Sequence, residues 1–224
     1  DYSLYNWPQQ GNYGGIGFNV TFNDDPEIGY WQRTKDFRTA LSYIIDREAI
    51  NQVNFLGMGT LRQGVAPVGV AMDPGPEVAN SFLEYDPAKA AAMLEAAGLV
   101  DTDGDGFRNR IGVLGGGTGN LELYAEVDGN DPRTPQAVTL IQEGLAEVGI
   151  KFDWKQNNTY YEAIRGNTAY LTVPGGFGIA QPFRSIPKSS HAHPLIANYV
   201  GSGGEGGQAP TGSDPNILPL SVAG

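Results

Sequence analysis

Three carboxylates stand close together in the run Asp101-Thr102-Asp103-Gly104-Asp105-Gly106. Acids at positions 1, 3 and 5 followed by glycine match the front half of a calcium loop, where oxygen ligands converge on a hard cation. Position 9 is Asn109, an acceptable ligand, but position 12, which should carry a bidentate Glu, is Gly112. The competing reading is a turn rich in Asx residues and glycine between a helix and a strand. Calcium at Asp101, Asp103 and Asp105 is the one cofactor the residues suggest; otherwise none is expected.

His191 and His193 are the two histidines, spaced so that an extended backbone points both to one face. No nearby Asp or Glu completes a metal set, so they read as loop residues. The Gly115-Gly116-Gly117-Thr118-Gly119 run lacks the lysine of a phosphate-binding loop. Gly201-Ser202-Gly203-Gly204 lacks the strand-turn-helix setting of a hydrolase nucleophile. With no cysteine in the chain, thiolate zinc sites, disulfides and cysteine nucleophiles are excluded. No catalytic set assembles, and the chain reads as a non-enzyme. The aromatic residues are more suggestive: 11 Tyr, 9 Phe and 3 Trp, several in expected loops, where rings commonly enclose a ligand.

The elements that must position these residues are α/β. A strand is expected at Ile16–Phe22, then a helix capped by Asp36 with Phe37, Ala40, Leu41, Ile44 and Ile45 on one face. Asp46 caps a second helix running to Phe55, which Gly57 stops, and a long Pro- and Gly-rich loop follows to about Asn80. Asp86 to Ala97 is a helix with Pro87 at its first position, Gly98 at its stop and Ala90, Met93, Leu94 and Ala97 buried. Leu121–Ala125, a helix from Thr134 carrying Val138, Ile141, Leu145 and Val148, and Ile150–Trp154 form a strand-helix-strand unit. That order implies parallel strands joined by a crossover. A short helix is expected at Tyr160–Arg165 and a strand at Ala169–Val173.

Composition narrows the class. The 224 residues carry 14 Lys and Arg against 25 Asp and Glu, a net charge of −11, without the clustered cations that nucleic-acid binding needs. No apolar run approaches the roughly 18 to 20 residues of a membrane span. Glycine at 32 and proline at 15 point to long loops around a patterned core.

Taken in order, the segments resemble the family 5 extracellular solute-binding proteins, receptors of ABC importers for peptides, nickel and oligosaccharides. Phe37-Arg38-Thr39-Ala40-Leu41-Ser42-Tyr43-Ile44-Ile45-Asp46-Arg47-Glu48-Ala49-Ile50 is similar to that family's R-x-A-L-x-x-A-I-D-R-E-x-I. Gly17-Phe18-Asn19-Val20-Thr21 resembles its l-x-F-N-t strand. Tyr85-Asp86-Pro87-Ala88-Lys89-Ala90 with Leu94, Ala97 and Gly98 resembles its Y-D-P-x-K-A-x-x-L-L-x-x-A-G, and the Asp101–Gly106 acids its D-x-D-G-D-G. Gly144-Leu145 through Gly149-Ile150-Lys151 resembles its L-x-x-i-G-I-k. The likeness spans about residues 16 to 180.

This resemblance implies one lobe of a periplasmic-binding-protein-like fold (class II, cluster C), a mixed β-sheet flanked by helices. Only the second lobe is matched, so the chain reads as a fragment: residues 1–184 the ligand-contacting lobe, residues 185–224 a Gly- and Pro-rich terminal segment. The implied function is capture, without catalysis, of a peptide or oligosaccharide for delivery to an ABC-transporter permease. The implied setting is periplasmic or extracellular, with a lipid anchor possible in the intact protein, and the implied state is a monomer. Gly176-Phe177-Gly178-Ile179-Ala180 stands where peptide receptors carry G-W-x-x-D: Phe177 keeps an aromatic wall, while Ala180 removes the acid that would hold a peptide amine. The expected ligand-facing residues are Phe177, Gln181, Phe183, Tyr160 and Tyr161. The alternatives are a metal-dependent hydrolase using the three aspartates or the histidines, and an interaction domain without a small ligand.

Overall fold

The computed structural model describes residues 16–65, 68, 73–159, 162–163, 171–173 and 202–207. Its elements in chain order are β1 (Gly17–Phe18), α1 (Pro26–Arg33), α2 (Lys35–Tyr43), α3 (Arg47–Phe55), α4 (Pro76–Ala79), α5 (Pro87–Ala96), β2 (Glu122–Asp128), α6 (Thr134–Glu147), β3 (Lys151–Asn157) and β4 (Leu171–Val173). The four strands form one mixed sheet in the order β1-β4-β2-β3. β2 runs parallel to both β3 and β4, and β1 lies antiparallel on β4. The α/β class with a mixed sheet flanked by helices is therefore observed.

Local chemistry explains most element boundaries. Asp86 accepts from the Lys89 N–H at 2.9 Å and Pro87 opens α5. Asp46 accepts from the Ala49 N–H at 2.8 Å, and α3 ends as Leu56 and then Gly57 turn left-handed. α5 and α6 stop in the same way. Gly98 and Gly149 sit at φ 92° and 74°, where a side chain would be strained. The next apolar residue then folds back: Leu99 N–H donates to Leu94 O at 3.0 Å, and Ile150 N–H to Leu145 O at 2.9 Å.

Three expectations need correction. The strand at Ile16–Phe22 shrinks to Gly17–Phe18, because Asn19 Oδ1 accepts from the Thr21 N–H and hydroxyl and turns the chain. Asp36 does not cap α2. The cap position belongs to Thr34, whose hydroxyl donates to Tyr30 O at the end of α1, leaving Asp36 in the first turn. The expected loop from Gly57 to Asn80 contains α4 near its end. In addition, α1 is a helix the sequence reading passes over. Asp25 accepts from the Glu27 and Ile28 N–H groups, and Pro26 occupies its first turn.

The core gathers the apolar stripes. Phe37, Ala40 and Leu41 from α2 with Ile44 at its end, Ala90 and Leu94 from α5, Val138, Ile141 and Leu145 from α6, and Leu123, Ala125 and Val127 from β2 are all within 1% of full burial. Each large aliphatic chain so buried is worth roughly 1.5–3 kcal/mol. α6 packs on β2 and β3, α3 on α6, and α2 on α5.

Two buried charged side chains tie these elements together. Arg108, 8% exposed, donates from Nε to Val148 O at 2.7 Å and from Nη1 to Leu99 O, reaching Ala91 O and Glu95 as well. It thus satisfies carbonyls just past the ends of both α5 and α6, where helix dipoles favour a cation. Glu27, fully buried on α1, accepts from the Ile111 and Gly112 N–H groups at 2.8 and 3.1 Å and from Trp31 Nε1 at 3.4 Å.

Replacing Arg108 with Met leaves buried carbonyls unpaired and is expected to cost about 2–4 kcal/mol. The Arg133→Met change, which removes a half-exposed ion pair with Asp131, should cost about 1 kcal/mol or less. Urea unfolding midpoints of the two variants compare these directly, and equal losses would refute the role given to Arg108.

Candidate functional site

Because β2, β3 and β4 are parallel, their carboxyl ends share one edge of the sheet, with Asp128 opposite Asn157 and Val127 opposite Val173. In open α/β sheets this is the edge that presents ligand-contacting loops. α6 starts beside it, after the turn 128–133.

That turn is knit by its own polar side chains. Asp128 Oδ1 accepts from the Asn130 N–H at 2.9 Å and from its amide at 3.0 Å, and the same amide reaches Asn158 O at 3.1 Å. Asn157 Oδ1 accepts from the Thr159 N–H and hydroxyl at 2.8 and 3.0 Å. Asp131 receives a two-pronged contact from Arg133, Nε at 2.9 Å and Nη2 at 2.7 Å, and this guanidinium holds its carboxyl below the ordinary range. Arg133 also lies over the Phe55 ring at 5.5 Å, while Asn54 donates to Arg133 O at 3.2 Å. The end of α3 is thereby fixed to the same edge. The result is a preorganised polar rim of carboxylates, amides and one guanidinium. No expectation from sequence pointed to it; the available signal was the Asp128-Gly129-Asn130-Asp131-Pro132 turn chemistry ahead of the α6 stripe.

The three aspartates do come together. Oxygens of Asp101, Asp103 and Asp105 lie within 4.8 Å of one another, all exposed, and no other described His, Asp or Glu joins them. Much of their hydrogen-bonding capacity is already used. Asp101 accepts from the Gly104 N–H at 2.7 Å and the Gly106 N–H at 2.9 Å, and Asp105 from the Phe107 N–H at 2.8 Å and the Asn120 amide at 2.7 Å. Asn109, the expected ninth ligand, instead accepts from the Thr102 N–H and hydroxyl. The N–H of Gly112 is held by Glu27 from α1. These contacts are those of an Asx turn. The Gly106 N–H, helped by that of Gly104, holds the Asp101 carboxyl below its ordinary value against the opposing effect of desolvation.

The other expected residues are Tyr160, Tyr161, Phe177, Gln181 and Phe183, with His191 and His193. All lie outside the described residues. In sequence Tyr160 follows β3 by three residues and Phe177 follows β4 by four. Ser202 accepts from the Gly206 N–H at 2.8 Å within the turn 202–207, consistent with a loop serine and without the geometry of a nucleophile. Gly116, in the glycine run, packs against the Glu27 side chain.

Comparison with known proteins decides the family. Residues 2–186 match the family model of the bacterial extracellular solute-binding proteins, family 5 Middle. The chain belongs to this family. Its members are binding proteins and not enzymes. Among relatives, a periplasmic alpha-galactoside-binding protein of Rhizobium meliloti (strain 1021) is 26% identical over 193 residues, 71% of this chain and 27% of the relative. The glutathione-binding protein GsiB of Salmonella choleraesuis (strain SC-B67) is 31% identical over 140 residues, 61% of this chain and 21% of the relative. The solved structure of an oligopeptide-binding protein OppA shares the fold, with a TM-score of 0.72 at 23% identity, covering 93% of this chain and 35% of that one. The family 5 chain described here thus spans between about a fifth and a third of the length of these proteins.

The self-satisfied turn predicts two outcomes by NMR. The Gly104 and Gly106 amide signals should titrate together with a midpoint below that of a free Asp, since the lowered carboxyl stabilises the turn above its pKa and loses that effect as pH falls through it. Asp101→Asn should abolish the step. Calcium at about 1 mM should leave the amide shifts of residues 101–112 in place; a saturable shift would mark a cation site instead.

Proposed function

We propose that this chain supplies the ligand-contacting lobe of an extracytoplasmic receptor that captures a peptide or an oligosaccharide and hands it to an ABC-transporter permease. The observation that carries the reading is the family match over residues 2–186, joined to a sheet whose parallel strands end on one polar edge. The match also supports the division near residue 184, with 185–224 as a separate Gly- and Pro-rich terminal segment. Relatives named for an alpha-galactoside, glutathione and oligopeptides support small polar solutes as the ligand class. Capture needs neither catalysis nor a cofactor.

In this reading the walls of the cleft come from Phe177, Gln181 and Phe183 after β4 and from Tyr160 and Tyr161 after β3. Rings stack on sugar faces or peptide side chains at little entropic cost, and Gln181 offers both a donor and an acceptor. Ala180 provides no charge for a peptide amine, so a peptide would be held by its backbone and an oligosaccharide by stacking and hydroxyl contacts. Closure of two lobes over the solute would signal to the permease, driven by tighter binding in the closed state. The receptor acts as a monomer outside the cytoplasm, tethered through a lipid anchor in the intact protein.

Native mass spectrometry of the intact receptor tests the solute class: an adduct of peptide or sugar mass that is lost on denaturation supports capture. Calorimetry with that solute then tests the site. Phe177→Ala should weaken binding roughly tenfold or more and Gln181→Ala by less. Unchanged affinity in variants of all five residues would sink the site assignment.

A further inference from the structure

β3 is the last strand of the sheet among the described residues, paired with β2 on one side only. A strand in that position offers a row of backbone donors and acceptors to any other extended chain. In a parallel ladder, alternate residues direct their N–H and C=O toward a given neighbour. Phe152 and Trp154 share one parity, and neither of the outward groups described next is left open.

The Trp154 N–H donates to Asp153 Oδ1 at 2.8 Å. The Phe152 carbonyl accepts from Gln142 Nε2, on α6, at 2.8 Å. Gln142 is held in place from its other end, where Oε1 accepts from the Trp154 indole Nε1 at 3.3 Å. One glutamine therefore clamps the strand backbone and the ring beyond it, and one aspartate masks the intervening donor. The surface beside this edge is apolar enough to reward pairing. Phe107, Tyr124, Ile150 and Phe152 line an open depression of about 610 Å³, and Trp154 is half-buried.

We infer that Asp153 and Gln142 close the outer edge of β3 against the addition of another strand. The two side chains take one acceptor, the Phe152 carbonyl, and one donor, the Trp154 N–H, of the outward row in the middle of β3. Asp153 adds a further obstacle, since its carboxylate stands exposed in the path of the approaching backbone. The occupant excluded is a second copy of the same strand. In an antiparallel pair centred on Trp154, Asp153 of each copy would face Lys155 of the other, so charge alone would not prevent self-pairing. Backbone masking is the element that does.

The test compares the chain with the Asp153→Ala, Asp153→Asn and Asp153→Ala/Gln142→Ala variants by hydrogen exchange and sedimentation. Asp153→Ala should speed exchange at the Trp154 amide at least tenfold, while Asp153→Asn, which keeps an acceptor oxygen, should largely retain protection. The double variant should self-associate at concentrations where the parent does not. Adding Gln156→Pro, which removes another outward donor, should reverse that association. Circular dichroism reports whether each variant is folded; if the double variant is not, exchange in Asp153→Ala decides. Folded variants that remain as monodisperse as the parent, or a Trp154 amide indifferent to Asp153→Ala, would overturn the inference.

Discussion

The structure depends most on one cation that closes two helices at once. α5 and α6 each end on a left-handed glycine, and each leaves carbonyls pointing into the same small volume. Arg108 fills that volume, donating to Leu99 O and Val148 O, while its own backbone joins Gly149 O and Leu121 N–H. Since Leu121 leads into β2 and Ile150 into β3, the guanidinium sets where both strands begin. The register Glu122 opposite Lys151 through Asp128 opposite Asn157 follows from that start. The polar edge at the far end of these strands is positioned, seven residues away, by the same contact.

On the opposite side of this segment the constraint is an anion. Asp25 caps α1 and pairs with Arg110 at 2.7 Å, and Glu27 takes the next two backbone N–H groups, of Ile111 and Gly112. Four residues of one short stretch, 108, 110, 111 and 112, are therefore gripped by α5, α6 and α1. A buried charge is tolerable only when its lone pairs or protons are this fully used. The same grip anchors the exit of the acidic loop through Glu27, while its interior is held by its own N–H groups.

How much of this was legible in the sequence follows from distance along the chain. α5 and α6 could be read nearly to the residue, because first-turn proline, apolar stripe and terminal glycine agree in both, joined in α5 by the Asp86 cap. β2 reads three residues short, since Glu126, Val127 and Asp128 look like the start of a polar turn although Val127 is fully buried. α1 was missed because its stripe is thin; Ile28 and Trp31 are its main apolar contribution, and its firmest contact, Glu27 to residues 111 and 112, joins positions 84 and 85 apart. Arg108 carries no local mark either, being one basic residue after an acidic turn. The Asp101 pattern was visible, but whether its oxygens meet a metal or backbone N–H groups depends on three-dimensional supply, and here much of that capacity goes to the loop.

The same accounting bears on how such a lobe would recognise a solute. Asp128 is already hydrogen-bonded to Asn130, Asp131 to Arg133 and Asn157 to Thr159, so exchanging those partners for ligand groups gains little net free energy. A rim of this kind holds shape and excludes misfits, and it costs little to keep ready because nothing in it must be reordered on binding. Affinity and choice of solute are then to be sought in other side chains. In the receptor proposed here those belong to the stretches after β3 and β4, from Tyr160 and from Phe177 onward. The division assigns rigidity to the parallel strands and their clasp at Arg108, and selectivity to the segments that leave them.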